Sequence, residues 1–429
     1  MDQIMEKSPG LISEFSRRRV ASAGLTQLVT YLLCFLTFIA TFFASALISD
    51  SPTTMILLSF LAAALVLWFG SHFSGKLFKV KRQKLYIGMQ LGSVITILSG
   101  LVVYLILQPL VPKVDQYVAE EVAGVDFWEL PTGSKIAFRK FPSKTKAQKL
   151  PVIILHGGPG AYSVTFKPML DVFSNLTANG HDVYFYDQVG SGLSERLSDV
   201  SEYSLDRHIA DLNAIRQKIR TDQVILIGSS WGATLAANYL AEYPDSVGSA
   251  IFSSPGPIYR PDWLEISDGT LDEKMNSRQK EQLDAAIEKP RLFVAIALAE
   301  INPAAAARFA PDQEMGSFFD KIANEHYLPL AMCDPKKLDA RSSGYGFWSS
   351  RMTGKTLVNQ RFDPKPALTK IDIPVLVLRG PCDYKNEAVA RQYTAIFPNS
   401  RFEEVKDTGH MAYGEDPQQY LRLLTDFLR

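Results

Sequence analysis

The alternation of apolar and polar positions changes character near residue 110. Residues 25–48 carry no charged side chain over 24 positions, residues 53–70 none over 18, and residues 85–107 none over 23. As helices these segments would run roughly 36, 27 and 34 Å, against a hydrocarbon layer of about 30 Å. The pattern predicts three transmembrane helices. The second is the shortest and by itself would also fit a buried core helix. Its neighbours on either side make it one arm of a membrane hairpin. Three long spans in succession do not fit a cleavable leader.

Beyond residue 112 the pattern shortens. Residues 122–141 read as a hairpin around Pro131-Thr132-Gly133-Ser134. From 150 to 252, short β-branched apolar runs alternate with amphipathic helical stretches such as Leu205–Ile219. That alternation predicts an α/β fold, a mostly parallel sheet with helices on both faces. Strand-like runs return at 374–378 and 401–405. Between them, residues 257–369 lose the strand signal and read as a helical insertion. The expected domains are an N-terminal membrane region at 1–112, a core at 113–256 and 370–429, and a helical cap at 257–369. Seven cap aromatics (Trp263, Phe318, Phe319, Tyr327, Tyr345, Phe347 and Trp348) read mainly as cap core.

Charge adds an orientation. Lys7 and Arg17–Arg19 precede the first span, and Lys76, Lys79, Lys81, Arg82 and Lys84 lie between the second and third. No Lys or Arg occurs from 48 to 54, and only Lys113 appears between the third span and residue 135. The positive-inside rule then places the N-terminus in the cytoplasm and the domain after the third span outside, in a multi-pass protein of the cell membrane. The short basic loop at 76–84 is explained by its membrane flanks and implies no nucleic acid. The balance of 45 basic and 45 acidic residues points to no particular partner.

Candidate chemistry gathers at the ends of the predicted strands. Val224-Ile225-Leu226-Ile227 runs into Gly228-Ser229-Ser230-Trp231-Gly232, followed by a helix former, Ala233 to Ala241. A strand, a very tight turn and a helix around G-x-S-x-G make a nucleophile elbow with Ser230 at its apex. The motif alone also fits a plain glycine turn. Pro151-Val152-Ile153-Ile154-Leu155 leads into His156-Gly157-Gly158-Pro159-Gly160. That loop would supply one oxyanion N–H, from Gly158 or its neighbour Gly157, and Trp231 the other. A base and an acid should follow the serine in the order acid, then histidine. Of the six histidines only His326 and His410 follow Ser230, and His410 alone comes just after a predicted strand. Asp383 follows the 374–378 run and is the expected acid, with Asp407 the alternative. Such groups collect at the carboxyl edge of open α/β sheets.

These residues carry a family resemblance. His156-Gly157-Gly158-Pro159-Gly160, Tyr186-Asp187-Gln188-Val189-Gly190-Ser191-Gly192-Leu193-Ser194 and Ser229-Ser230-Trp231-Gly232-Ala233-Thr234-Leu235-Ala236 resemble the proline iminopeptidase branch of the α/β-hydrolases over about 120–429. The resemblance implies an α/β-hydrolase fold and a Ser230–Asp383–His410 triad. It also implies an acyl-enzyme route that releases an N-terminal residue, often proline, from short peptides. Two positions depart from the family pattern: Val189 stands where it usually has Arg, and Ser229 where it usually has Gly. The family's amine-binding cap glutamates have no residue-by-residue match here, although Glu265, Glu300 and Glu325 lie in that region.

The expected function is therefore a membrane-anchored serine hydrolase acting on a short peptide or small molecule. Proline iminopeptidase-like aminopeptidase action on short peptides or aminoacyl amides is the leading substrate class implied by the resemblance. Esterase or lipid acyl-hydrolase activity is the alternative substrate class. A non-catalytic, membrane-tethered binding module is the alternative of another kind. Relatives that cleave haloalkanes or epoxides are disfavoured, because they carry Asp where Ser230 stands. No cofactor is expected: the histidines are scattered, and Gly190-Ser191-Gly192 lacks the third glycine of a dinucleotide loop. Cys34 reads as a small apolar residue of the first span. Cys333 and Cys382 could pair in an oxidising compartment.

Overall fold

The computed structural model describes residues 9–78, 99–101, 103–106, 108–110, 122–146, 149–337 and 341–429. The chain divides into two compact units. One comprises Met1–Pro109 with Lys289–Ala310, the other Leu110–Glu288 with Pro311–Arg429.

The first unit is built on two long helices, α1 (Pro9–Ser45) and α2 (Pro52–Phe78). Within them Leu25–Ser45 and Pro52–Gly70 are apolar over 21 and 19 residues, long enough to cross a bilayer. Among the described residues these are the two such helices. Residues 85–98 of the third expected span lie outside the described residues, and 99–101 and 103–106 are helical. The helices pack tightly where side chains are small: a methyl group on Gly70 would come 2.3 Å from Thr30 Cγ2. Their other faces leave Leu25, Leu28, Leu61 and Phe69 exposed.

The unit also holds Pro290–Ile301 and Pro303–Phe309, which the apolar pattern had assigned to one continuous cap. Asn302 Nδ2 donates to Ala46 O at 2.8 Å, and Arg308 pairs with Asp50 at 2.8 Å. Val294 and Phe309 close a cavity of about 160 Å³ with Phe38, Phe42 and Ile56. A helix with an apolar face must bury it, but the pattern does not name the surface it meets.

The second unit carries an eight-stranded sheet in the order β1-β2-β4-β3-β5-β6-β7-β8. The strands are β1 (Asp126–Glu129), β2 (Lys135–Phe141), β3 (Val152–Leu155), β4 (Val183–Tyr186), β5 (Val224–Ser229), β6 (Val247–Ser253), β7 (Val375–Arg379) and β8 (Ser400–Glu404). β1 and β2 form the expected hairpin and pair antiparallel, while β3 to β8 run parallel. The parallel strands β3, β4, β5 and β7 are buried along their whole length, because helices cover both sheet faces. Ile154, Phe185, Ile227 and Leu376 join Phe173, Tyr420 and Leu424 from the covering helices in one core. Register then decides what meets at the edge. Leu155 lies opposite Gly228, Ser229 opposite Ser253, Ser253 opposite Leu378 and Arg379 opposite Glu404. The loops after β3, β5, β6, β7 and β8 therefore leave the same edge.

Candidate active site

Ser230 sits between the end of β5 and the helix Trp231–Glu242, with φ 55° and ψ −119°. A β-carbon makes that backbone region costly, so the surroundings must hold it. Ser230 N donates to Ser253 O at 3.0 Å, and Ser230 O accepts from Ala233 N at 3.0 Å. The flanking glycines are required by space: a methyl group on Gly232 would lie 2.1 Å from Leu155 O. The loop after β3 approaches from the other side. A methyl group on Gly157 would fall 3.2 Å from Ser230 Cβ, and Gly158 takes φ +115°. Gly157, Gly158, Ser230 and Trp231 thus share one corner of the sheet edge.

That corner is braced by a network absent from the sequence reading. Trp231 Nε1 donates to Gln188 Oε1 at 2.8 Å, and Gln188 Nε2 donates to His156 O at 3.1 Å. Gln188 N donates to His156 Nε2 at 2.9 Å. His156 Nε2 is therefore an acceptor, and the ring proton belongs on Nδ1, facing Gly157 O at 2.9 Å. Burial pushes the His156 pKa down to about 4, against a smaller opposing pull from the Gly157 carbonyl. The ring is neutral and structural. Asp187 is buried too, accepting from Ser163 N, Val164 N and Leu193 N.

The loops after β7 and β8 bring Asp383 and His410 together. Asp383 Oδ1 accepts from His410 Nδ1 at 2.7 Å and from Lys385 N at 3.0 Å, and both side chains are buried. Burial raises the Asp383 carboxyl. The charge and hydrogen bond of His410 and the Lys385 N–H outweigh it and hold the group below the usual carboxylate range. His410 N donates to Ala331 O at 2.7 Å, and Cys382 N donates to Thr408 O at 3.0 Å. Glu415 accepts from Cys333 N and Gly409 N, which ties the same loops from below. A disulfide joins Cys333 to Cys382, the residue before Asp383.

The alternative residues go elsewhere. Asp407 is exposed on a turn with φ 56°. His326 lies in the helical turn Ala323–Tyr327, 4.0 Å from Glu325. Glu265, Glu300 and Glu325 are all exposed. Among the described residues of 257–369 the buried acids are Asp268, Glu314 and Asp320, with Asp312 half-buried, and all four serve the fold. Asp268 pairs with Arg260 and Lys385, and Glu314 accepts from Leu110 N. Asp312 accepts from Arg196 Nε and Trp348 N, and Asp320 from Ser342 Oγ and Gly344 N. Tyr384 is the residue at the site that sequence reasoning passed over. Its ring lies 4.4 Å from the His410 ring, centroid to centroid, and its hydroxyl is 3.4 Å from His410 Nε2. An aromatic after the acid was the available signal, but nothing in its type marks it as chemical.

Residues 151–417 match the family described as alpha/beta hydrolase fold. The chain belongs to the α/β-hydrolases. It is a hydrolase of the peptidase or esterase kind. A proline iminopeptidase of Heyndrickxia coagulans is 30% identical over 306 residues, covering 69% of this chain and 96% of the relative. A proline iminopeptidase of Clostridioides difficile is 26% identical over 300 residues, covering 69% and 95%. Among solved structures, an alpha/beta fold family hydrolase from Bacillus anthracis aligns with a TM-score of 0.51 at 16% identity, over 71% of this chain and 98% of that one. An α/β-hydrolase with this edge presents a strained serine, a hydrogen-bonded imidazole and carboxylate, and glycine backbone at one place.

Proposed function

We propose that the chain is a membrane-anchored serine hydrolase whose triad is Ser230, His410 and Asp383. The carrying observation is the 2.7 Å His410–Asp383 hydrogen bond at the sheet edge that also bears Ser230. Asp383 keeps the His410 proton on Nδ1, so Nε2 is free to take the Ser230 proton. Oγ attacks a carbonyl, and the oxyanion accepts from Trp231 N–H and from Gly158 or Gly157 N–H. Each such donor is worth ~100- to 1,000-fold in turnover. Collapse breaks the acyl bond, and His410 passes the proton to the leaving group. Water then releases the acyl group by the same steps in reverse order.

The relatives named proline iminopeptidase support short peptides or aminoacyl amides with a free N-terminal residue as substrates. The exposure of Glu265, Glu300 and Glu325 favours a second substrate class, since no buried acid among them waits for a free amine. That class is esters or lipid acyl groups. Two span-length apolar helices support the anchor. With a third span at 85–107, the positive-inside rule puts the hydrolase unit outside the cell membrane. The Cys333–Cys382 bond fits that oxidising side.

The test uses the full chain in detergent micelles. Prolyl and other aminoacyl arylamides are compared with short- and long-chain aryl esters, beside Ser230→Ala. The variant should lose ~10⁶-fold in turnover. Preference for a free-amine amide establishes the exopeptidase, and activity confined to esters establishes the second class. A folded chain whose Ser230 does not react with a fluorophosphonate is a binding module instead. Protease shaving of intact cells tests the topology, and full protection of the hydrolase unit sinks it.

A further inference from the structure

His410 Nε2 must serve two atoms in turn. It gives a proton to the departing group of the substrate, then takes one from the incoming water. Both atoms must stand within about 2.6–3.2 Å of Nε2, on the same side of the acyl carbon. The hydroxyl that borders this place is Tyr384 Oη, 3.4 Å from Nε2. The Tyr384 ring is held over the imidazole, with centroids 4.4 Å apart and planes at 43°. Its backbone is fixed between Asp383 and Lys385, whose N–H donates to Asp383 Oδ1. Lys385 Nζ in turn donates to the buried Asp268 carboxylate at 2.7 Å. The phenol is thus on a braced loop and not on a free surface.

Resting on the serine-hydrolase reading, we propose that Tyr384 positions the leaving group and, after it departs, the water that hydrolyses the acyl-enzyme. In deacylation the water oxygen bonds to the acyl carbon while its proton passes to His410 Nε2. The carbon–Oγ bond then breaks, the same proton returns to Ser230 Oγ, and the carboxylic acid leaves. Tyr384 keeps its own proton throughout and contributes a hydrogen bond to the water or to the departing heteroatom. Burial, followed by the charges of Asp383 and Asp268, pushes its hydroxyl well above the ordinary phenol range, so it remains a neutral partner at working pH.

Tyr384→Phe in the full chain tests this, because it keeps the ring on His410 and removes only the hydroxyl. Two rates separate the steps. Labelling of Ser230 by a fluorophosphonate reads nucleophilic attack and needs no water. Steady-state hydrolysis of an activated aryl ester, with its pre-steady-state burst, reads deacylation. The expected result is labelling within about threefold of wild type, an ester kcat lower by ~10- to 100-fold, and a burst of one phenol per active site. Hydroxylamine, a stronger nucleophile than water, should speed turnover more in the variant than in wild type. Unchanged kcat would overturn the role. So would a rise in both rates, which would make the hydroxyl a block on Nε2, or an equal fall in both, which would make it a prop for the ring. A wild-type chain that fails to label refutes the serine-hydrolase reading itself. Labelled wild type with unaltered variant kinetics refutes the Tyr384 role alone.

Discussion

Acidification from pH 7 to pH 5 should destabilise the hydrolase unit by about 2 kcal/mol through His156 alone. The ring is fully buried and neutral, its Nε2 occupied by the Gln188 N–H and its pKa pushed down to about 4. In the unfolded chain the same ring titrates near 6.5. Between those values the unfolded state binds more protons than the folded one, so stability falls as pH falls. The contribution is complete above about 6.5 and is lost progressively toward about 4. Over 2.5 pH units at about 1.4 kcal/mol each the full loss is roughly 3.4 kcal/mol, and about 1.8 of that is spent between pH 7 and 5. His208, also buried and pushed down to about 3, should add a similar amount over the same interval. The assay is urea unfolding followed by tryptophan fluorescence at both pH values, for wild type and His156→Gln. Removing the titrating ring should remove the His156 share, about 1.8 kcal/mol of the loss between pH 7 and 5, whatever it does to stability at pH 7. An H156Q variant with the full wild-type pH dependence would refute the reasoning.

Three further outcomes follow from packing and chemistry. In denatured protein, thiol labelling without reductant should mark Cys34 only, and with reductant all three cysteines; Cys333→Ser should cost about 4 kcal/mol, from the loop entropy of a 49-residue separation. Two glycine substitutions should move melting temperature in opposite directions. Gly232→Ala drives a methyl group into Leu155 O and should cost ~1–3 kcal/mol or more, whereas Gly354→Ala enters open space in the helix Phe347–Val358 and should gain ~0.5–1 kcal/mol. Asp383→Asn should lower kcat by ~10⁴-fold with KM little changed, because the amide no longer holds the His410 proton on Nδ1; a loss under tenfold would argue that Asp383 is not the orienting acid.

Much of the hydrolase unit was legible along the chain, because its information is local. Buried parallel strands are continuous apolar runs, so 151–155, 224–227 and 374–378 announced β3, β5 and β7. Leu205–Ile219 showed its helical period directly. Glycines at 228 and 232 marked a turn too tight for side chains, and the motif order put Ser230, Asp383 and His410 each after a strand. Other features depend on what a surface meets, which no linear pattern contains. That Asp383 rather than Asp407 lies against His410 was decided by the paths of two loops. One delivered a buried carboxylate to Nδ1, and the other left Asp407 on an exposed turn. The sequence read 257–369 as one helical insertion, and only contacts between distant segments group Pro290–Ile301 with the N-terminal helices in one compact unit. The Cys333–Cys382 bond and the placement of Tyr384 on His410 are likewise long-range. Periodicity and turn chemistry operate over a few residues, whereas the pairing of a cysteine or the face of a ring is set by contacts between segments tens of residues apart.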